Sequence, residues 1–223
     1  MKNLIQINFQ NIKNVGIRVD FNVPINDSFQ ITDNTRLIRA KDTIDFVSKN
    51  ESKILLLSHF GRPKESFDEK FSFKNLIDQF SNILGYEIQL LPYEEFLQNG
   101  LQQFKKGTNK ITLLDNIRFF EGEKKNDKSF SQSITNELDL FINEAFSASH
   151  RSHASVNQMA KNILSAPGLN FSKEVMAINE IKNSTKRKLA IIGGSKVSTK
   201  IKTLLSLTQS CSNIFIGGAM ANN

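Results

Sequence analysis

The sequence holds a single cysteine, Cys211, in 223 residues. No internal disulfide and no all-cysteine metal site can form from it, which fits a reducing cytoplasm. Proline and glycine are also scarce, at 4 and 11 residues, and with 39% hydrophobic side chains this excludes a disordered chain. Nothing approaches the roughly 18 apolar residues of a membrane span. The longest pure runs are as short as Ile54 to Leu57. The opening stretch, Met1 to Phe9, is broken by Asn3, Gln6 and Asn8 and so lacks the apolar core of a secretory signal. What the chain has in excess is positive charge, 29 basic against 22 acidic side chains, for a net +7. That balance favours anionic partners, although lysines scattered over helix faces serve solubility equally well.

Segments of strand length alternate with segments of helical period almost from end to end. The pattern predicts strand-helix units repeated around a parallel sheet with helices on both faces, because parallel neighbours need a crossover. Strands are expected over 17–22, 53–58, 87–91, 111–114 and 140–143. Helices are expected from Thr32 or Asp33 to Ser48, from the Ser72 cap to Gly85, over 94–104, and over 129–138, where Ser129 and Gln132 have capping-box spacing. Past His150 the pattern gives way to a polar loop, Ala166-Pro167-Gly168 as punctuation, and a helix over 173–181. A second unit follows, with a strand over 188–192, a turn at Gly193-Gly194, a helix burying Val197, Ile201, Leu204 and Leu205, and a strand over 213–216 closed by Gly217-Gly218. Two strands do not make a stable sheet. The second unit is therefore expected to be the start of an incomplete α/β domain, and the 223 residues a fragment or truncated form.

Ligands of such sheets gather at the carboxyl ends of the strands. After the first strand come Asp20 and Asn22, with Arg36 in the opening turn of the next helix. After the second come His59, Gly61 and Arg62, after the fourth Asn116 and Arg118, after the fifth His150, Arg151 and His153. Guanidinium groups meeting at one sheet edge repel one another unless an anion lies between them, and their forks match phosphate or carboxylate oxygens. Each arginine alone reads as a surface charge; the set describes a site for a small, multiply charged ligand. Asp20 and Asn22 flank Phe21 and so face one side of the strand end. They either hydrogen-bond a ligand hydroxyl, or Asp20 orients a neighbouring arginine. His150 and His153 have no cysteine or acidic cluster beside them, so no metal site is expected. In the second unit, Gly193-Gly194-Ser195-Lys196 with Lys200 reads either as a place where a phosphate approaches the backbone beside a mobile point charge or as a tight turn followed by a lysine-bearing helix face. It is neither the P-loop pattern nor the dinucleotide glycine pattern.

Seven blocks stand in order: Arg18-Val-Asp-Phe-Asn-Val-Pro24, Thr32-Asp-Asn-Thr-Arg36, Leu57-Ser-His-Phe-Gly-Arg-Pro63, Asp115-Asn-Ile-Arg-Phe119, Asn143-Glu-Ala-Phe146 with His150-Arg-Ser-His153, Gly193-Gly-Ser-Lys-Val-Ser-Thr-Lys200, and Gly217-Gly-Ala-Met-Ala-Asn222. Together they resemble the phosphoglycerate kinase family, from Arg18 to Asn223. The resemblance implies two Rossmann-like domains joined by a closing hinge. Residues 1–170 would bind 3-phosphoglycerate or 1,3-bisphosphoglycerate, 171–184 would form the connecting helix, and 185–223 would begin the domain for ADP or ATP. By matching position, Asp20, Asn22, Arg36, His59, Arg62, Arg118 and Arg151 would bind phosphoglycerate, lined by the backbone of Phe21, Phe60 and Gly61. Arg36 would stabilise the transferring phosphoryl group and Lys196 would escort it. Lys200, with Gly193, Gly194, Gly217 and Gly218, would meet the nucleotide phosphates.

Mg2+ would arrive on the nucleotide, its ligands mostly outside this chain. Such transfer needs positioning and charge neutralisation rather than a protein nucleophile, and closure excludes water. The implied protein is a cytoplasmic monomeric phosphotransferase with no membrane or nucleic-acid partner. Departures from the family pattern are Glu144 where aspartate is usual, Ser147-Ala148-Ser149 where Gly-Thr-Ala is common, and Thr199 where aspartate is frequent. Two other expectations compete with the enzyme. One is a non-catalytic module that binds phosphorylated metabolites. The other is a nucleic-acid binder, suggested by net charge alone, whose interleaved aromatic and basic stripe is not apparent.

Overall fold

Short apolar runs form β1 (Asn14–Arg18), β2 (Lys53–Leu57), β3 (Ile88–Leu91), β4 (Ile111–Leu114), β5 (Leu140–Asn143) and β6 (Ser165–Pro167), a single sheet in the order β3-β4-β2-β1-β5-β6. Every neighbouring pair in it is parallel. These elements come from a computed structural model, which describes residues 3–64, 66–194 and 201–222. Along β2, Ile54 and Leu56 join one buried cluster while Leu55 and Leu57 join another, the two-residue alternation of a strand with cover on both faces. The first cluster is closed by α1 (Thr35–Lys49), through Leu37, Ala40, Ile44 and Val47, and by α2 (Ile77–Leu84), through Phe80 and Leu84. The second is closed by Phe96 of α3 (Tyr93–Asn99) and Phe104 of α4 (Gln102–Lys106). After the single turn of α5 (Glu121–Lys124), Ile134 of α6 (Lys128–Thr135) and Met159 of α7 (Met159–Asn162) complete it. This is the Rossmann-like architecture expected. The chain leaves β1 toward β2, β3 and β4 on one side and returns to β5 and β6 on the other, so the carboxyl ends of β1, β2, β4 and β5 border the crevice where such sheets bind ligands.

Several boundaries differ from expectation. β1 ends at Arg18, and 19–22 leave the sheet as a loop held by hydrogen bonds from Val19 N to Leu57 O at 2.9 Å and from Phe21 N to Ser58 Oγ at 2.8 Å. The alternation had continued because Val19, Phe21 and Val23 stay buried after the strand stops. The helix expected over 94–104 is two, parted at Gly100 and Leu101. Ser129 and Gln132 form no capping box, since Asp127 Oδ1 accepts from Phe130 N at 2.7 Å and caps α6 two residues earlier. Ser72 caps a 3-10 turn, Phe73–Asn75, ahead of α2 rather than α2 itself. Residues Ser165 to Pro167, expected to be loop, make the edge strand β6, a position where proline's missing N–H costs no ladder bond.

The chain divides into two compact units, Met1–Glu174 and Val175–Asn223. The division falls inside α8 (Leu169–Asn183), which starts four residues before the helix expected at 173. In the second unit β7 (Leu189–Gly193) and β8 (Asn213–Gly217) pair in parallel, with α9 (Ile201–Thr208) between them in sequence. Leu189, Ile191 and Phe215 stand 63%, 73% and 61% exposed. Val197 lies outside the described residues. No helix among the described residues is long and apolar enough to cross a membrane.

Candidate anion-binding site

Arg18, the last residue of β1, is buried, and its guanidinium is spent on neighbours. Nε donates to Ser155 Oγ at 2.9 Å, Nη1 donates to the Val19 carbonyl, and Nη2 lies 3.1 Å from His59 Nδ1. A guanidinium only donates, so Nδ1 accepts and the His59 proton sits on Nε2. Burial, followed by the charges of Arg18, Arg118, Arg151 and Arg36, pushes His59 down to about 2, and the ring is neutral. Four arginines, from the end of β1, the segments after β4 and β5, and α1, therefore bear on one imidazole. Arg118 is itself pushed down to about 10, by burial and then by Arg151, Arg18 and Arg62. Arg62, Arg118 and Arg151 line one open cavity of about 390 Å3 together with Lys124 and His153. A concave surface lined by several cations concentrates anions.

A second cavity, about 190 Å3, is bordered by Asp20, Arg36, Arg39, Glu144 and Ser147. Asp20 Oδ2 pairs with Arg36 Nη1 and accepts from Ser147 Oγ, while its Oδ1 accepts from Asn22 N at 3.2 Å. Asp20 thus stands against Arg36, the arginine it would orient. Glu144 is buried at the foot of α8. Its Oε2 accepts from Thr43 Oγ1 at 2.6 Å and its Oε1 from Phe171 N at 3.3 Å. Burial pushes this carboxyl up to about 7 against the pull of its bonds to Thr43, Phe171 and Asn170, and Asp42 adds to the rise. Gly168 leaves room for it: a Cβ there would stand 1.7 Å from Glu144 Oε2.

The loop after β2 is shaped by amide side chains. Asn22 Oδ1 accepts from Gly61 N at 2.8 Å, and Asn116 Oδ1 accepts from Phe60 N and Arg118 N, each at 3.1 Å. Arg118 Nη1 donates to Gly61 O at 2.6 Å. The amides of Phe21, Phe60 and Gly61 are thus engaged within the protein. The three residues form a frame beside Asn22, His59 and Arg118. Gly61 is required there twice over, by φ +57° and by the Phe71 ring, which lies 2.3 Å from where a Cβ would be.

Sequence reasoning missed Arg18 as a site member, and with it Lys124, Ser155 and Glu123. Glu123 sits in the run Glu121-Gly-Glu-Lys-Lys-Asn-Asp127, which reads as a solvated charged face, yet its side chain has no exposure at all. Burial raises its carboxyl, but His153, Arg18 and Ser155 outweigh that and hold it below the ordinary carboxylate value. His150 is exposed and its Nδ1 donates to Ser147 O at 2.9 Å. No cluster of three or more His, Cys, Asp or Glu suited to a metal occurs among the described residues.

In the second unit Gly193 and Gly217 face each other in register at the ends of β7 and β8. Met220 N donates to Gly194 O at 2.9 Å, and Gly218, at φ +64°, packs against the Gly194 backbone. The four glycines flagged by sequence therefore lie together. Lys196 and Lys200 lie outside the described residues.

A family profile described as phosphoglycerate kinase matches residues 4–223. A phosphoglycerate kinase of Wolbachia sp. subsp. Drosophila simulans (strain wRi) is 40% identical over 214 residues, covering 95% of this chain and 53% of the relative. One from Helicobacter hepaticus (strain ATCC 51449 / 3B1) is 41% identical over 213 residues, covering 94% and 52%. The solved phosphoglycerate kinase of Coxiella burnetii superposes with a TM-score of 0.83 at 31% identity, over 99% of this chain and 55% of that one. The chain spans about half the length of the curated relatives it matches.

Proposed function

The chain belongs to the phosphoglycerate kinase family, and from that premise we propose that it serves reversible phosphoryl transfer between 1,3-bisphosphoglycerate and ADP, giving 3-phosphoglycerate and ATP. What supports this is the concentration of the Arg36, Arg118 and Arg151 charges on His59, with Arg62 sharing the cavity of Arg118 and Arg151. On this proposal Arg62, Arg118 and Arg151 receive the anionic groups of phosphoglycerate, and His59 donates from Nε2 without adding charge. Asn22, whose Oδ1 is taken by Gly61, has its Nδ2 for a ligand oxygen. Arg36, aimed by Asp20, offsets charge on the phosphoryl group in transit, the main demand of such a reaction.

Lys196, Lys200 and the paired glycine turns at Gly193, Gly194, Gly217 and Gly218 belong, in this proposal, to the nucleotide. Mg2+ would arrive on the nucleotide, its ligands mostly outside this chain, and no step here runs through it. The proposed setting is a cytoplasmic monomer without nucleic-acid or membrane partners. Isothermal calorimetry with 3-phosphoglycerate tests the site: the chain is expected to bind it, more weakly as salt rises, and Arg118→Ala to lose most of that affinity. A folded chain that releases no heat with 3-phosphoglycerate overturns the assignment.

A further inference from the structure

The hydrogen bonds behind His59 all run one way. Glu123 Oε2 accepts from Ser155 N at 2.8 Å and Oε1 accepts from Ser155 Oγ at 2.7 Å. A carboxylate only accepts, so the hydroxyl proton is committed to Glu123, and the serine oxygen has lone pairs for Arg18 Nε at 2.9 Å. Arg18 in turn donates to His59 Nδ1. From carboxylate to imidazole no assignment of donor and acceptor is free. Glu123 does not border the anion cavity, where a carboxylate would repel the ligand; the cavity is lined by Arg62, Pro63, Arg118, Lys124, Arg151 and His153. It lies behind the site, fully buried, as the countercharge of Arg18.

Turning the Arg18 fork would have a direct consequence for His59. With Nη2 in place, an Nδ1-protonated ring sets donor against donor, and a doubly protonated ring adds a further cation to the cluster. One state of three remains.

We propose that Glu123 is a positioning residue of the anion site: acting through Ser155 and Arg18, it holds His59 as the neutral Nε2–H tautomer, so that the ring meets a ligand oxygen as a donor. The ligand's identity rests on the function proposed above; the tautomer is a property of the free chain.

The chain has three histidines. His150 donates from Nδ1 to Ser147 O, and His153 Nδ1 lies 3.4 Å from Glu123 Oε1, so both carry their proton on Nδ1 when neutral, the opposite of His59. Long-range 1H–15N correlation spectra, with His59→Gln to assign the peaks, are expected to show one histidine with a bare Nδ1 and a protonated Nε2 from about pH 5 to about pH 8. In Glu123→Gln that pattern is expected to become mixed, with affinity for 3-phosphoglycerate falling about tenfold, the scale of one charged hydrogen bond. If Glu123→Gln does not fold, Ser155→Ala cuts the same link at a neutral residue and is read by the same spectrum. The proposal is overturned if His59 in the unmodified chain is Nδ1-protonated or charged at about pH 6, or if folded Glu123→Gln and Ser155→Ala keep its spectrum unchanged. A chain that shows the expected tautomers but does not bind 3-phosphoglycerate supports the lock and removes the ligand.

Discussion

β2 and β7 are built from the same kind of sequence, Lys-Ile-Leu-Leu-Leu against Leu-Ala-Ile-Ile-Gly, and meet different fates. Ile54 to Leu57 are all buried, whereas Leu189 and Ile191 stand 63% and 73% exposed. A strand's apolarity records the burial it is suited to, and the cover has to come from other elements. In the first unit helices close both faces of six strands; among the described residues of the second, β7 has β8 as its sheet partner. Ionisable groups follow the same division. Every buried charged or polar side chain among the described residues belongs to the first unit, where each strand end can be packed and bonded.

Substitutions can break or sharpen this contrast. The largest effect is expected from Leu56→Ala, which opens a cavity between sheet and helices and should cost about 3 to 4 kcal/mol in urea unfolding of the chain. A loss below about 1 kcal/mol would mean that the first core is far looser than its burial implies. Gly168→Ala comes next, at about 2 to 3 kcal/mol, because its methyl would enter the space of the Glu144 carboxylate; thermal unfolding of this variant at the parent's midpoint would contradict the packing.

Glu144 gives the first unit a pH dependence of its own. Its folded value of about 7 lies above the ordinary 4.5. The folded chain therefore holds this proton more tightly than the unfolded one, and the associated stability is complete below about pH 4.5 and lost as pH rises through about 7. Glu144→Gln should gain about 2 kcal/mol on the parent at about pH 8 and little at about pH 5, measured by urea unfolding at both. A difference independent of pH would show that Glu144 titrates as an exposed carboxylate. The smallest effect is expected for Ile191→Ser, within about 0.5 kcal/mol by the same unfolding measurement, since little apolar surface is buried there. A loss matching that of Leu56→Ala would erase the distinction between the two strands.

Much of this was legible in the residues. β4 and β5 lie where Ile111 to Leu114 and Leu140 to Asn143 placed them, and the arginines stand after the strands that predicted them. Periodicity fails where burial outlasts the strand, as at Val19 and Phe21, and where the strand is too short and polar to have a period, as at Ser165 to Pro167. It is silent on Arg18, Ser155 and Glu123 for another reason. Their bonds join residues 137 and 32 positions apart, and only the folded chain brings such partners together. The framing role of the Phe21, Phe60 and Gly61 amides was hidden likewise, because nothing local says that Asn22, Ser58 and Asn116 will claim them.

The sheet of the first unit ends on β6, three residues long, with Pro167 as its last. An edge so brief, with one position unable to donate, gives the backbone of a second molecule almost nothing to ladder onto. On that flank, then, the fold guards itself against polymerising edge to edge, a hazard that any open parallel sheet would otherwise carry at cellular concentrations.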